Sequence, residues 1–126
     1  MLHHISFAVT DLERSAAFYD ATLKALGYVR VWANATAVGY GNPGGEDKFA
    51  IKLRSAQVIP PPSGFHLAFS APSRDAVLQF HQAALGHGGQ DNGAPDLRSN
   101  YGDSYFAAFA MDPDGYQIEA VHNDPA

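Results

Sequence analysis

The segment LHHISFAVTDLERSAAFY, residues 2–19, contains the strand and the helix start that decide the fold. Its first part alternates between apolar and polar or small residues, a period of two that predicts a half-buried strand over Leu2–Val9. Asp11 then stands where a helix N-cap is expected. Apolar residues recur at helical spacing from there to Gly27, a typical C-terminal cap. The segment therefore predicts a strand followed by an amphipathic helix.

The same order of elements returns 62 residues later. Gly64–Ala71 alternates again, and a second helical pattern follows it. The shift pairs His4 with His66, Asp11 with Ser73, Phe18 with Phe80, Leu23 with Leu85 and Gly27 with Gly89. Such a run of matches indicates a duplicated unit. We expect a single domain over residues 1–126, with internal repeats at 1–54 and 64–122 and a linker at 55–63.

Strand-like segments follow each helical pattern. After the first come Tyr28–Ala33, Ala35–Gly41 and Lys48–Leu53; after the second, Tyr105–Met111 and Tyr116–Val121 flank a type I turn sequence, Asp112–Gly115. Gln90–Ser104 is polar and Gly-rich, which predicts a weak strand near its start and then a loop that covers a site. The sequence thus predicts an α+β fold, in which two βαβββ modules pair into a curved mixed sheet around a cleft.

The composition argues against several classes of function. Eight basic and thirteen acidic residues give a formal charge of −5, so a basic nucleic-acid footprint is missing. Without cysteine there is no disulfide, thiolate metal site or cysteine nucleophile. The N-terminus does not resemble a signal peptide, and no apolar run approaches the roughly 20 residues that span a bilayer. We expect a soluble, cytoplasmic protein that contacts neither nucleic acid nor membrane.

The alternation places candidate ligands on the cleft face. The predicted cleft side of the first strand carries His4, Ser6 and Ala8, and that of the matching strand carries His66, Ala68 and Ser70. On the last strand Glu119 has the same parity. Two imidazoles and one carboxylate from three strands suit Fe(II), Mn(II), Zn(II) or Ni(II). The alternatives are histidines that form ordinary hydrogen bonds and a solvated glutamate.

Two segments resemble the signatures of a known family. Residues 2–19 are similar to the opening signature of the vicinal oxygen chelate superfamily, the glyoxalase, bleomycin resistance protein and dioxygenase family, and AAFAMDPDGYQIEAV, residues 107–121, to its closing signature. The resemblance implies paired βαβββ modules around a metal-centred cleft, often completed by dimerisation. The implied metal ligands are His4, His66 and Glu119, and we expect a two-fold symmetric homodimer.

One position departs from the family pattern. Aligning Phe49–Leu53 with Tyr116–Ala120 puts Lys52 opposite Glu119, where members resembling glyoxalase I carry a fourth ligand. A protonated lysine has donors only and cannot ligate, which argues against lactoylglutathione lyase itself. We predict that Lys52 binds an anionic group of the substrate and stabilises negative charge during the reaction. The alternative is that its side chain extends past the cleft rim into water.

The expected function is that of a metal-dependent enzyme whose small substrate chelates the ion through adjacent oxygens. The reaction would be of the lyase or isomerase, epoxide-opening transferase or dioxygenase type, with Glu119 and Lys52 as catalytic residues. Substrate contacts are predicted in or beside the long loop, at Arg98, Asn100, Tyr101 and Tyr105; the alternative is an ordinary polar loop. A different class also stays open, a metal-free protein that sequesters a small molecule as bleomycin resistance proteins do.

Overall fold

A computed structural model describes residues 1–125 and contains two modules with the same order of elements. The first module contains β1 (Ile5–Val9), α1 (Leu12–Ala25), β2 (Val29–Ala33), β3 (Ala37–Gly41) and β4 (Phe49–Leu53). The second contains β5 (Leu67–Ser70), α2 (Arg74–Gly86), β6 (Gln90–Leu97), β7 (Phe106–Met111) and β8 (Gln117–His122). The predicted α+β fold with two βαβββ modules is confirmed. Within the described residues, no helix combines the length and apolar character needed to cross a bilayer.

Each module forms its own four-stranded mixed sheet. The strand order is β1-β4-β3-β2 in sheet one and β5-β8-β7-β6 in sheet two. The pairs β1–β4 and β5–β8 are parallel and the other pairs are antiparallel. The two sheets of residues 1–125 do not pair with each other, so the modules of one chain do not share a continuous sheet. The strands β1 and β5 are therefore sheet edges.

A shared apolar core joins the two modules. The ring of Phe7 on β1 stacks on Tyr116, before β8, with 4.1 Å between ring centroids. Phe49 on β4 meets Phe69 on β5 edge to face at 5.3 Å, and α1 packs against α2. Burial of each large apolar side chain contributes about 1.5–3 kcal/mol. One side of each sheet is thus committed to this core, and we call the opposite side of each sheet its cleft face.

The two helices begin in the same way. Asp11 accepts a hydrogen bond from the backbone N–H of Arg14 at 3.0 Å, and the hydroxyl of Ser73 accepts one from the N–H of Ala76 at 3.1 Å. Such side-chain caps satisfy a backbone donor that the first helical turn leaves unpaired, and each stabilises the helix by about 1 kcal/mol. Both N-caps were predicted from the sequence and are confirmed.

The C-terminal ends of the two helices do not follow the predicted 62-residue shift. Gly27 has a φ of 91° after α1, but after α2 the left-handed residue is Gly88, with a φ of 95°, and not Gly89. Leu23 is 1% exposed, whereas its predicted counterpart Leu85 is 46% exposed. The reason is that α2 is one residue shorter and buries a narrower face.

A buried polar contact ties the first helix to the turn before β8. The Tyr19 hydroxyl donates to Oδ2 of Asp112 at 2.6 Å, while Oδ1 of Asp112 accepts from the N–H groups of Asp114 and Tyr116 at 2.9 Å each. Burial raises the pKa of Asp112, although these hydrogen bonds act in the opposite direction. The contact fixes the start of β8 relative to the other module.

Candidate functional site

Glu119 lies at the centre of the cleft face of sheet two. The strand β8 runs between β5 and β7, and its register pairs Glu119 with Ala68 and with Phe109. Side chains of directly paired residues project to the same side of a sheet. His66 lies two residues before Ala68 and shares that side because strand residues alternate. The register thus assembles an imidazole, a carboxylate and an aromatic ring on one face.

The two carboxylate oxygens of Glu119 have different surroundings. The residue is 0% exposed, and its Oε2 accepts a hydrogen bond from the Tyr105 hydroxyl at 2.5 Å. Its Oε1 lies 2.9 Å from Nε2 of His66, but this contact lacks the geometry of a hydrogen bond, and Oε1 has no hydrogen-bond partner among residues 1–125. A buried oxygen without a hydrogen bond is costly. Oε1 is therefore the atom at which a ligand is expected.

Tyr105 is a hydrogen-bond donor to this carboxylate at neutral pH. Burial raises the pKa of Tyr105 to about 12, and the hydrogen bond to Glu119 and its negative charge act in the same direction. The phenol consequently stays protonated over the physiological range.

Arg98 brings a positive charge to the same face. Its guanidinium carbon lies 5.2 Å from the ring centroid of Phe109, a cation–π arrangement. Its Nη2 donates to the carbonyl of Ala94 at 2.5 Å, and its buried Nε has no partner within the described part of the chain. The Phe109 ring is 6.1 Å from the ring of His66. Arg98 and His66 thus flank one aromatic ring.

The four predicted substrate-contacting residues do not all reach the site. Tyr105 contacts the site carboxylate directly, and Arg98 reaches the cleft face. Tyr101 is 63% exposed, with its ring 5.2 Å from that of Tyr105. Asn100 is exposed in the turn after β6 and does not contact Glu119.

Phe109 is a site residue that the sequence analysis missed. Aromatic residues stand at both Phe106 and Phe109 in β7, three positions apart, so they project to opposite faces of the strand. Phe106 pairs with His122 on the core side, and Phe109 pairs with Glu119 on the cleft face. This odd spacing could have indicated from the sequence that Phe109 faces the cleft.

His4 does not join His66 and Glu119. It precedes β1, and its Nδ1 lies 2.9 Å from Nδ1 of His3. It lines a cavity of about 290 Å³ between the modules, together with Tyr28 and residues 67–70 of β5. No group of three potential His, Asp or Glu ligands forms within residues 1–125. One chain therefore brings together two of the three predicted ligands.

Lys52 is on the cleft face of sheet one, but the sequence alignment that placed it opposite Glu119 is wrong. The register pairs Ser6 with Ala50 in sheet one and Ala68 with Glu119 in sheet two. Ser6 and Ala68 are related by the repeat, so Ala50 is the counterpart of Glu119. The physical reason is that an alternating strand keeps its pattern after a shift of two residues.

The correction changes which residue excludes a fourth ligand. The methyl group of Ala50 cannot ligate a metal, so this exclusion holds without Lys52. Lys52 lies opposite Ala8 and Ala37, half-buried, and no carboxylate in the described chain is within ion-pair distance of its ammonium. A cation without a partner is thus present on this face.

Comparisons with known proteins agree with this architecture. The family model of the glyoxalase/bleomycin resistance protein/dioxygenase superfamily matches residues 1–120. A glyoxalase/bleomycin resistance protein from Albidiferax ferrireducens, known from a crystal structure, is 33% identical, with a TM-score of 0.82 over 96% of this chain and 97% of that chain. YqjT of Bacillus subtilis is 29% identical over 95% of this chain and 97% of its own length.

A more distant structure shares the fold alone. The fosfomycin resistance protein FosX from Mesorhizobium loti is 19% identical, with a TM-score of 0.69 over 98% of this chain and 92% of that chain.

Proposed function

Because the chain belongs to the glyoxalase/bleomycin resistance protein/dioxygenase superfamily, we propose that it is a metal-dependent enzyme whose small substrate binds the ion through two adjacent oxygens. The observation that carries the proposal is the buried Oε1 of Glu119, which has no hydrogen bond and lies 2.9 Å from Nε2 of His66. Two donor atoms that each bind one ion at about 2.0–2.2 Å lie roughly 3 Å apart. Their spacing and their lack of a mutual hydrogen bond fit a shared cation.

The two donor groups, His66 and Glu119, limit which metal ions would bind. An imidazole and a carboxylate suit Zn(II), Fe(II), Mn(II) or Ni(II). Such an ion would supply Lewis-acid polarisation of a substrate oxygen. His66 and Glu119 would hold it, and the buried surroundings of Glu119 keep that carboxylate from being screened by water.

The third ligand, His4, comes from a second copy of the chain in this proposal. The cleft faces of both sheets lie away from the shared core, and the edges of β1 and β5 are unpaired. A two-fold dimer can set sheet one of each copy against sheet two of the other, which creates two equivalent clefts. Each cleft would then contain His66 and Glu119 from one chain and His4 from the other.

Cationic and aromatic side chains point to an anionic substrate. Arg98 lies on the face that carries Glu119, and Lys52 lies on the face that the second copy would place opposite it. A carboxylate or phosphonate on the substrate would be held by these two charges. Tyr101 and Tyr105 would contact the substrate from the loop side.

The reaction proposed is not that of lactoylglutathione lyase. Enzymes resembling glyoxalase I use a fourth ligand from the first repeat, and here Ala50 occupies that place on β4. A three-ligand site fits the lyase or isomerase, epoxide-opening or dioxygenase types, all of which place negative charge on an oxygen next to the ion.

Metal analysis tests the proposal directly. The wild type, purified without chelators, should contain about one divalent ion per chain, and Glu119→Gln should lose it because an amide is a much weaker ligand. Glu13→Gln makes the same chemical change at an exposed position on α1 and should keep the metal.

Two results would contradict the proposal. Full metal content in Glu119→Gln would place the site elsewhere. A wild type that contains no metal and cannot be loaded with a divalent ion would favour the alternative function, a protein that sequesters a small molecule without metal.

A further inference from the structure

We infer that Tyr105 is a positioning residue that makes Glu119 a one-oxygen ligand, bound through Oε1 alone. The inference rests on the proposed metal site and deepens it. Its basis is the unequal treatment of the two carboxylate oxygens, because Oε2 accepts the Tyr105 hydroxyl at 2.5 Å and Oε1 accepts no hydrogen bond within residues 1–125.

The backbone holds the phenol in place. The carbonyl of Tyr105 accepts a hydrogen bond from the N–H of Arg98 at 2.7 Å, and its own N–H donates to the carbonyl of Gly102 at 3.4 Å. Tyr105 directly precedes β7, which pairs with the strand that carries Glu119. The hydroxyl is therefore anchored to the same sheet as the carboxylate.

A glutamate side chain has little preference of its own for one carboxylate orientation. The terminal torsion is broad and two-fold, so both oxygens can rotate towards one ion. A short hydrogen bond to an ionised carboxylate is roughly twice as strong as a neutral one. Glu119 is 0% exposed, and within the described residues the Tyr105 hydroxyl is the hydrogen-bond donor to its Oε2. The Tyr105 hydroxyl thus sets which oxygen is free to face His66.

A purely structural role for Tyr105 makes a different prediction. If the hydroxyl only satisfies a buried carboxylate, its removal lowers the stability of the fold and leaves the ligand geometry unchanged. If it positions Glu119, its removal changes how the carboxylate binds the ion. Metal affinity and the spectrum of the bound ion separate the two roles.

The test uses Tyr105→Phe, which removes one hydroxyl, with Tyr40→Phe as matched control. Tyr40 also donates its hydroxyl to a carboxylate, Oδ1 of Asp20 at 2.9 Å, but it belongs to the first module and does not touch Glu119. Cobalt(II) is added to the metal-stripped proteins, and binding is followed by visible absorption in competition with a chelator. Tyr105→Phe should bind cobalt about ten-fold or more weakly, because the hydrogen bond that orients the ligand is lost. Its spectrum should change, because Glu119 can then bind through both oxygens. Tyr40→Phe should match the wild type in both affinity and spectrum.

Unchanged affinity and spectrum in Tyr105→Phe overturn the inference, even if the variant melts earlier. Failure of the wild type to bind cobalt counts instead against the proposed function. A second measurement needs no substitution: a crystal structure of the metal-loaded wild type should show only Oε1 at bonding distance and the Tyr105 hydroxyl on Oε2. Both oxygens at bonding distance would overturn the inference.

Discussion

The cleft faces of the two sheets have the same strand register and different chemistry. At the centre of sheet one, Ser6, Ala50 and Gly39 are paired across β1, β4 and β3; at the equivalent place in sheet two stand Ala68, Glu119 and Phe109. The indole of Trp32 lies so close over Gly39 that a side chain there would collide with it. The duplication thus supplies the same strand register twice, whereas the second module alone carries a carboxylate at this position.

The two faces also complement each other. Sheet two carries the buried carboxylate of Glu119 and the guanidinium of Arg98, and sheet one carries the half-buried Lys52. Pairing of like sheets would set two copies of Glu119, or two copies of Lys52, against each other, and like charges close together repel. This asymmetry is what we expect if each cleft is built from the unlike sheets of two copies.

The largest effect on the free energy of unfolding is expected at the helix ends, where the two modules bury different leucines. Leu23→Ala should lower the free energy of unfolding by about 2–5 kcal/mol, because Leu23 is fully buried on α1. Leu85→Ala should lower it by about 1 kcal/mol, because nearly half of Leu85 is exposed and only the buried part of its side chain is lost from the core. Chemical denaturation at one fixed protein concentration measures both. Equal losses would restore the 62-residue shift and contradict the observed helix ends.

The fold follows from local signals in the sequence. The alternation around Phe7, the two helix N-caps and the turn at Asp112–Gly115 each depend on a few neighbouring residues, and all were predictable; the turn is closed by the N–H of Gly115 donating to the carbonyl of Asp112 at 2.9 Å. The counterpart of Glu119 was not predictable, since a strand shifted by two residues keeps its alternation.

The site was predictable in part for a similar reason. Parity along single strands is enough to put His66 and Glu119 on one face. The hydrogen bond from Tyr105 joins a loop end to another strand, which no local pattern encodes. The separation of His4 from the other two candidates depends on how whole modules pack, and packing of that kind is set by long-range contacts such as that between Phe7 and Tyr116.

A smaller effect is expected at Lys52, the cation on the face without a carboxylate. Lys52→Met keeps the apolar stem and removes the charge. In the metal-loaded protein it should weaken binding of inorganic phosphate about ten-fold, or 1.4 kcal/mol, and leave metal content unchanged. Lys24→Met, at an exposed position in the last turn of α1, is the matched control and should bind phosphate like the wild type. Isothermal titration measures both. Wild-type affinity in Lys52→Met would mean that the side chain extends into water.

We propose that two copies of the chain share each metal site, and mixed dimers can show whether they do. His4→Ala and His66→Ala, carrying different purification tags, are refolded together, and the heterodimer is isolated. One of its clefts keeps His66 and Glu119 from the first variant and His4 from the second, while the other cleft loses both histidines. We expect about one ion per heterodimer, against about two per wild-type dimer and almost none in either parent homodimer. A heterodimer as metal-free as its parents would contradict it and place all the ligands within one chain.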